Sequence, residues 1–173
     1  MKQWIRIAAA ATLAAWGLGA QAQKAGTEVQ SRLEARKVVT AADGKETFAA
    51  ADQAKPGDVI EYVATYRNLT RQRLSNFDGT LPIPQQTEFM PGSQVPAKAT
   101  ASLDGVNYSP LPLTRKVQRD GRTVDEPVPA REYRFLRWHA NSLGGEQSVA
   151  FSARVRVIDD RNTGPPAGRG GGQ

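Results

Sequence analysis

Asp58-Val59-Ile60-Glu61-Tyr62-Val63-Ala64-Thr65-Tyr66-Arg67-Asn68 reads as a β-strand. Ile60, Tyr62, Ala64 and Tyr66 share one face, and Glu61, Thr65 and Arg67 lie on the other with Val59 and Val63. A period of two, filled with β-branched and aromatic residues, marks a strand with one face against a core. Residues Gln147 to Ile158 repeat the pattern. Val149, Phe151, Ala153, Val155 and Val157 are expected to face inward, with Ser148, Ser152, Arg154 and Arg156 outward. Both stretches are long enough for central strands.

Weaker segments flank these two. Thr27 to Val39 alternates Val29, Leu33, Ala35 and Val39 with Glu28, Arg32, Glu34 and Arg36. The same letters suit a helix, since Val29 and Leu33 are four apart and Glu, Arg and Ala favour helices; strand is the reading kept. Arg131 to Trp138 is a further expected strand, with Leu136 and Trp138 on one face. Leu81-Pro82-Ile83-Pro84 lacks two backbone donors and belongs on an edge or at a strand end.

Turn signals separate the strands. Asp43-Gly44, Asp104-Gly105 and Asp120-Gly121 each offer a pair that tolerates positive φ, as tight hairpins require. Asp104-Gly105 is expected to join Thr100–Leu103 to Val106–Tyr108, and Asp120-Gly121 to join Leu113–Gln118 to Arg122–Val124. Pro56-Gly57 turns into the strand at Asp58, and Gly144-Gly145 precedes the last strand. No long 3.6-residue period, internal repeat or domain boundary is visible. Pro91 to Pro112 reads as a loop-plus-hairpin insertion. The fold class expected is all-β: a single antiparallel β-sandwich over residues 27–159.

Several roles follow from residue chemistry. Gly57 frees its turn from Cβ restrictions. Tyr62 and Tyr66 fill the core face and need partners for their hydroxyls. Asn68 can close a turn through its side chain. Trp138 is expected to plug the space between sheets.

The chain ends point outside the cytoplasm. Lys2 and Arg6 precede an apolar run of about 14 residues, Ile7 to Ala20. That is shorter than the roughly 20 residues a membrane span needs. Ala20 and Ala22 supply the small residues read at a signal-peptide cleavage site, so residues 1–22 are expected to be a signal peptide removed after Ala22. No later segment is apolar enough to span a bilayer. Residues 160–173 are Gly- and Pro-rich and are expected to be a disordered tail. The expected location is the periplasm of a Gram-negative-type bacterium, with cell-surface and secreted fates left open.

Processing would leave about 151 residues, enough for one domain without disulfides. Removing Lys2 and Arg6 leaves 21 basic against 17 acidic residues, a net charge of +4. This balance suits anionic partners or simply solubility, since no block of like charge occurs. Arg169-Gly170-Gly171-Gly172 faintly resembles an RNA-binding tract, but an exported chain rarely meets RNA, so no nucleic-acid partner is expected.

Catalytic chemistry finds little support. With no cysteine there is no thiol nucleophile, thiol metal site or redox pair. The one histidine, His139, sits beside Trp138, with Ser142 the nearest hydroxyl, and no nucleophile elbow is present. Asp159, Asp160 and Asn162 do not have calcium-loop spacing. A lysine-linked isopeptide through Lys37 needs a late Asn or Asp, and the final strand has no Asn. No metal or cofactor is expected, and no catalytic residue is assigned. Any chain with 17 acids offers carboxylate pairs, which keeps a hydrolase with an unrecognised carboxylate site as an alternative.

Two stretches together resemble a known family. One runs Lys55-Pro56-Gly57-Asp58-Val59-Ile60-Glu61-Tyr62 through Tyr66-Arg67-Asn68, Leu81-Pro82-Ile83-Pro84 and Phe89-Met90-Pro91-Gly92-Ser93. The other is Tyr133-Arg134-Phe135-Leu136-Arg137-Trp138, then Leu143-Gly144-Gly145-Glu146 and the final strand. They are similar to the bacterial surface repeat called domain of unknown function eleven. The resemblance implies an immunoglobulin-like sandwich in the bacterial envelope, with no enzyme activity and no agreed ligand. Two departures occur: Asn68-Leu69-Thr70 stands for Asn-Thr-Gly, and Asp78-Gly79-Thr80-Leu81-Pro82 replaces Asp-x-Leu-Pro. The family forms tandem arrays, whereas one copy is present here.

The expectation is therefore a non-catalytic envelope module contacting an envelope protein or a polymer. The alternative is a binder of anionic glycans or lipopolysaccharide. It would use Arg154 and Arg156 on the last strand, with Arg134 or Arg137 beside them if the strands pair, and Tyr133 and Phe135 as aromatic partners. An ordinary charged sheet face is the plainer reading of those residues.

Overall fold

The computed structural model describes residues 28–159. The expected signal peptide at residues 1–22, with Ala20 and Ala22, and the expected tail at residues 160–173 lie outside the described residues.

Eleven strands are described: β1 (Val29–Thr40), β2 (Glu46–Ala50), β3 (Val59–Asn68), β4 (Leu74–Pro82), β5 (Thr87–Phe89), β6 (Thr100–Ser102), β7 (Ser109–Pro110), β8 (Thr114–Arg119), β9 (Arg122–Pro127), β10 (Phe135–Leu143) and β11 (Ser148–Val157). One sheet has the order β2-β1-β3-β11-β5, a second β4-β10-β6-β7, and β8-β9 forms a separate ribbon. All pairings are antiparallel. The two main sheets pack face to face as a β-sandwich.

The alternation in β3 and β11 sets the core. Ile60, Ala64, Phe151, Ala153 and Val155 are buried on one side, against Leu81, Ala101, Leu136 and Trp138 on the other. Trp138 fills the gap between sheets as expected, stacked on Phe151 at 5.1 Å between ring centres. Its indole N–H donates to the Pro96 carbonyl at 2.7 Å, so the polar edge of a buried ring is satisfied. Gly79 makes room for this stack, because a Cβ there would overlap the Phe151 ring.

Several expectations change in detail. In the segment expected at Thr27–Val39, the described residues from Val29 onward are strand, because β3 supplies a ladder along Val29–Val38. Its apolar side chains nonetheless stay open: β4 and β10 pack over β3 and β11, leaving β1 beyond the covered area, with Leu33 48% exposed. The Arg131–Trp138 strand begins only at Phe135, since a 3-10 turn occupies Ala130–Glu132. Asp104-Gly105 does not make a two-residue hairpin. Ala101 pairs with Ser109, and the Asp104 carboxylate gathers the Val106 and Asn107 N–H groups within a longer loop. Asp120-Gly121 does form the expected tight turn, with φ of 50° and 75° between directly paired Arg119 and Arg122.

Candidate functional site

The arginines expected to share a face are divided by the topology. β10 lies in one sheet and β11 in the other, so Arg134 and Arg137 are not ladder neighbours of Arg154 and Arg156. Gly144-Gly145 carries the chain across the sandwich rather than around a hairpin within one sheet. The Arg137 guanidinium stacks over the Tyr108 ring at 3.4 Å. Arg134 donates to the backbone oxygens of Arg131 and Tyr133. Phe135 pairs with Ser102 and abuts Gly105. Tyr133 is 2% exposed and belongs to the core; its hydroxyl accepts the Leu113 N–H at 2.8 Å and its ring stacks on Phe89. It cannot line a surface, because the 3-10 turn before it swings the side chain inward.

Arg154 is committed to the fold. Its guanidinium forks onto both Glu46 oxygens at 2.8 and 2.6 Å and approaches Glu61 at 3.5 Å. Arg36 meets Glu61 from the other side at 2.6 Å and lies 3.7 Å over the Phe48 ring. The hydrogen bond to Arg154 holds the Glu46 carboxyl below its ordinary range and raises the guanidinium in turn. This ladder ties β2, β1, β3 and β11 together across their outer face.

Gly57 has φ of 93° and donates to the Val157 carbonyl, fixing the Pro56-Gly57 turn against β11. Asp58 accepts Lys37 Nζ at 2.7 Å and the Lys55 N–H at 2.8 Å, which hold its carboxyl below the usual range. Lys37 therefore sits in an ion pair. Burial pushes the Tyr62 hydroxyl upward. Tyr66 reaches across to Thr80 of the opposite sheet. Asn68 is fully buried and bonds Gln72, Leu143, Gly144 and Thr70.

Arg156 has a different setting. It points outward from β11 beside two adjoining depressions of about 390 and 380 Å³ at one end of the sandwich. Glu88 stands opposite it in the β5–β11 ladder and lines both. Met90, Pro91 and Ala130 floor one depression. Arg131 and the Pro56-Gly57 turn border the other, with Asp159 at its margin. Among the described residues neither Arg131 nor Arg156 has a carboxylate within ion-pair distance, in contrast to Arg36, Arg115, Arg119 and Arg154. Two guanidiniums over an apolar floor suit an anionic group carried on an extended polymer or peptide. Reading Arg131 as part of a strand hid it; the better signal was Pro129, which starts the turn that places Arg131 at the rim.

His139 is mid-strand in β10 rather than at a strand end, with Nδ1 2.7 Å from the exposed Asp78 carboxylate. Ser142, three residues along an unbulged strand, projects from the opposite face, so the two do not form a nucleophile–base pair. Among the described residues no three His, Asp or Glu side chains cluster in a way that would hold a metal. Asp160 and Asn162 lie outside the described residues.

No family model matches the chain. No curated protein and no solved structure matches it either. The likeness to domain of unknown function eleven rests on the motifs quoted above.

Proposed function

We propose that this chain is an exported, non-catalytic envelope module of immunoglobulin-like type that holds an anionic protein segment or polymer in the groove between Arg131 and Arg156. The observation that carries this reading is the pair of arginines without carboxylate partners on an apolar floor. Arg36 and Arg154 of the same sheet are spent on internal ion pairs, whereas Arg156, with Arg131 across the groove, is left for a ligand. Supporting the location are the leader read at residues 1–22 and the motifs shared with a bacterial surface repeat. Relative to the earlier expectation, the arginine set shifts from Arg134, Arg137, Arg154 and Arg156 to Arg131 and Arg156.

Titration of the processed chain with lipopolysaccharide and with polygalacturonate, each at low and high salt, tests this. Binding that weakens with salt is expected, with affinity at least roughly tenfold lower in the Arg131→Gln/Arg156→Gln variant, since each lost contact is a hydrogen bond to a charged group. Binding unaffected by the double substitution, or none to either polymer at low salt, would remove the reading.

A further inference from the structure

The β8–β9 ribbon has two open edges. It pairs with neither main sheet, and its strand residues are exposed apart from Val117 and Glu126. Two strands alone are marginal in water. The Val128 N–H donates to the Leu113 carbonyl at 2.9 Å, which makes that pair a hydrogen-bonded one in the ladder. Alternation along the ribbon then turns the N–H and C=O groups of Thr123 and Asp125 outward from β9, and those of Thr114, Lys116 and Gln118 outward from β8. The register is continuous on both strands, and Pro127 closes β9 at its root.

The two edges differ in charge. β8 carries Arg115, Lys116 and Arg119, whereas β9 carries Arg122, Asp125 and Glu126. Within the ribbon Arg119 faces Arg122 directly, and like charges so placed oppose pairing. Glu126 relieves Arg119 at 2.8 Å. Among the described residues Arg122 has no carboxylate within ion-pair distance. Val124 lies between Arg122 and Glu126 on the same face, opposite Val117 and 38% exposed.

This order of residues on β9 is self-complementary. Two copies pairing antiparallel about a two-fold axis oppose residues equally far from the axis on either side. With the axis at Val124, each Arg122 meets the other copy's Glu126, Thr123 exchanges backbone hydrogen bonds with Asp125, and Val124 lies against Val124. Axes at Arg122, Asp125 or Glu126 oppose identical charges, and an axis at Thr123 sets Arg122 against Val124. On β8, axes from Arg115 to Val117 bring like charges together, and one at Gln118 leaves only Val117–Arg119 to pair. Adding β9 of one copy antiparallel to β8 of the next would set two bodies side by side about 10 Å apart, less than the roughly 20 Å width of a five-stranded sheet. About the Val124 axis the bodies instead lie at opposite ends. The paired length, Arg122–Glu126, stops short of both roots and of the Asp120-Gly121 turn, and each copy's β8 lies on the outer side.

We propose that a second copy of this chain docks along β9 in this register, joining two ribbons into one four-stranded sheet in the order β8-β9-β9-β8. Val117 and Val124 of both copies then form one apolar row, and each Glu126 lies between its own Arg119 and the other copy's Arg122. So small an interface places the dimer among weak, concentration-dependent associations. The inference rests on other residues than the arginine groove and does not depend on it.

Sedimentation velocity of the processed chain over a wide concentration range provides the test, and a reversible monomer–dimer equilibrium is expected. Arg122→Glu should weaken it by roughly tenfold or more, because two favourable cross-strand pairs become repulsive. Within one copy the same change sets a carboxylate opposite Arg119 and supports the ribbon, so a weakened ribbon does not account for the loss. Adding Glu126→Arg to it should restore the dimer. Thr123→Pro removes an edge N–H that β8 does not use and should leave a folded monomer. The chain has no cysteine, so Val124→Cys should give a disulfide-linked dimer on mild oxidation. Val117→Cys, three strand spacings or roughly 14 Å from its counterpart, should not. A chain monomeric at every concentration overturns the proposal. So does a dimer indifferent to Arg122→Glu or Thr123→Pro, or one that Val117→Cys links as readily as Val124→Cys.

Discussion

The Tyr66 hydroxyl clasps Thr80 across the sandwich, donating to its carbonyl at 2.5 Å and accepting its N–H at 3.0 Å. One side chain on β3 thereby satisfies two backbone groups at the margin of β4. Tyr66→Phe keeps the ring packed against Phe77 and Phe151 but orphans both groups. The expected loss is about 1–2 kcal/mol of unfolding free energy, measured by urea denaturation against wild type.

Asn68 joins the end of β3 to the β10–β11 turn through a fully buried amide. Its nitrogen donates to carbonyls and its oxygen accepts from Thr70. Asn68→Ala is expected to cost about 3 kcal/mol, since several buried partners lose their bonds together. Asn68→Asp would set a carboxylate against those carbonyls, raising its folded-state pKa. That variant should therefore lose stability as pH rises from about 4 to 7, which denaturant melts at the two pH values would show.

Gly79 passes directly beneath the Phe151 ring. Gly79→Ala is expected to destabilise by about 2–3 kcal/mol through overpacking. Combining it with Phe151→Leu should cost less than the sum of the two changes, because the smaller side chain vacates the space. Additive losses in calorimetry would contradict this account.

Asp104 accepts N–H groups from Val106 and Asn107, the Asn107 amide and the Ser102 hydroxyl, and these hold its carboxyl far below the ordinary carboxylate range. The folded pKa is lower than the unfolded one. Its contribution is therefore complete above about pH 4 and is lost as pH falls through that region toward the folded value. The difference in Tm between wild type and Asp104→Asn should be constant near neutrality and shrink on acidification.

Alternation was enough to place β3 and β11 and to name their buried residues, because both have a covered face along most of their length. The Asp120-Gly121 turn was equally legible, since its two positive φ values demand such a pair. Period two reports which face a residue takes but not which sheet a strand joins. That is why Arg137 and Arg154, on consecutive strands, looked like neighbours and are not. β2 carried no strand signal: Glu46–Ala50 is exposed throughout and is strand only because it pairs with the edge of β1 opposite β3. The groove was half visible through Arg156, whereas Arg131 depended on a turn whose direction no local pattern specified.

The β8–β9 ribbon belongs to neither main sheet. It is moored at its root, where the Val128 N–H donates to the Leu113 carbonyl and Leu113 is held in turn by the Tyr133 hydroxyl. A reporter peptide spliced between Asp120 and Gly121 would therefore lengthen an arm without splitting the body it hangs from. The ribbon is a ready-made handle for lifting the domain, with its neighbours attached, out of its native surroundings.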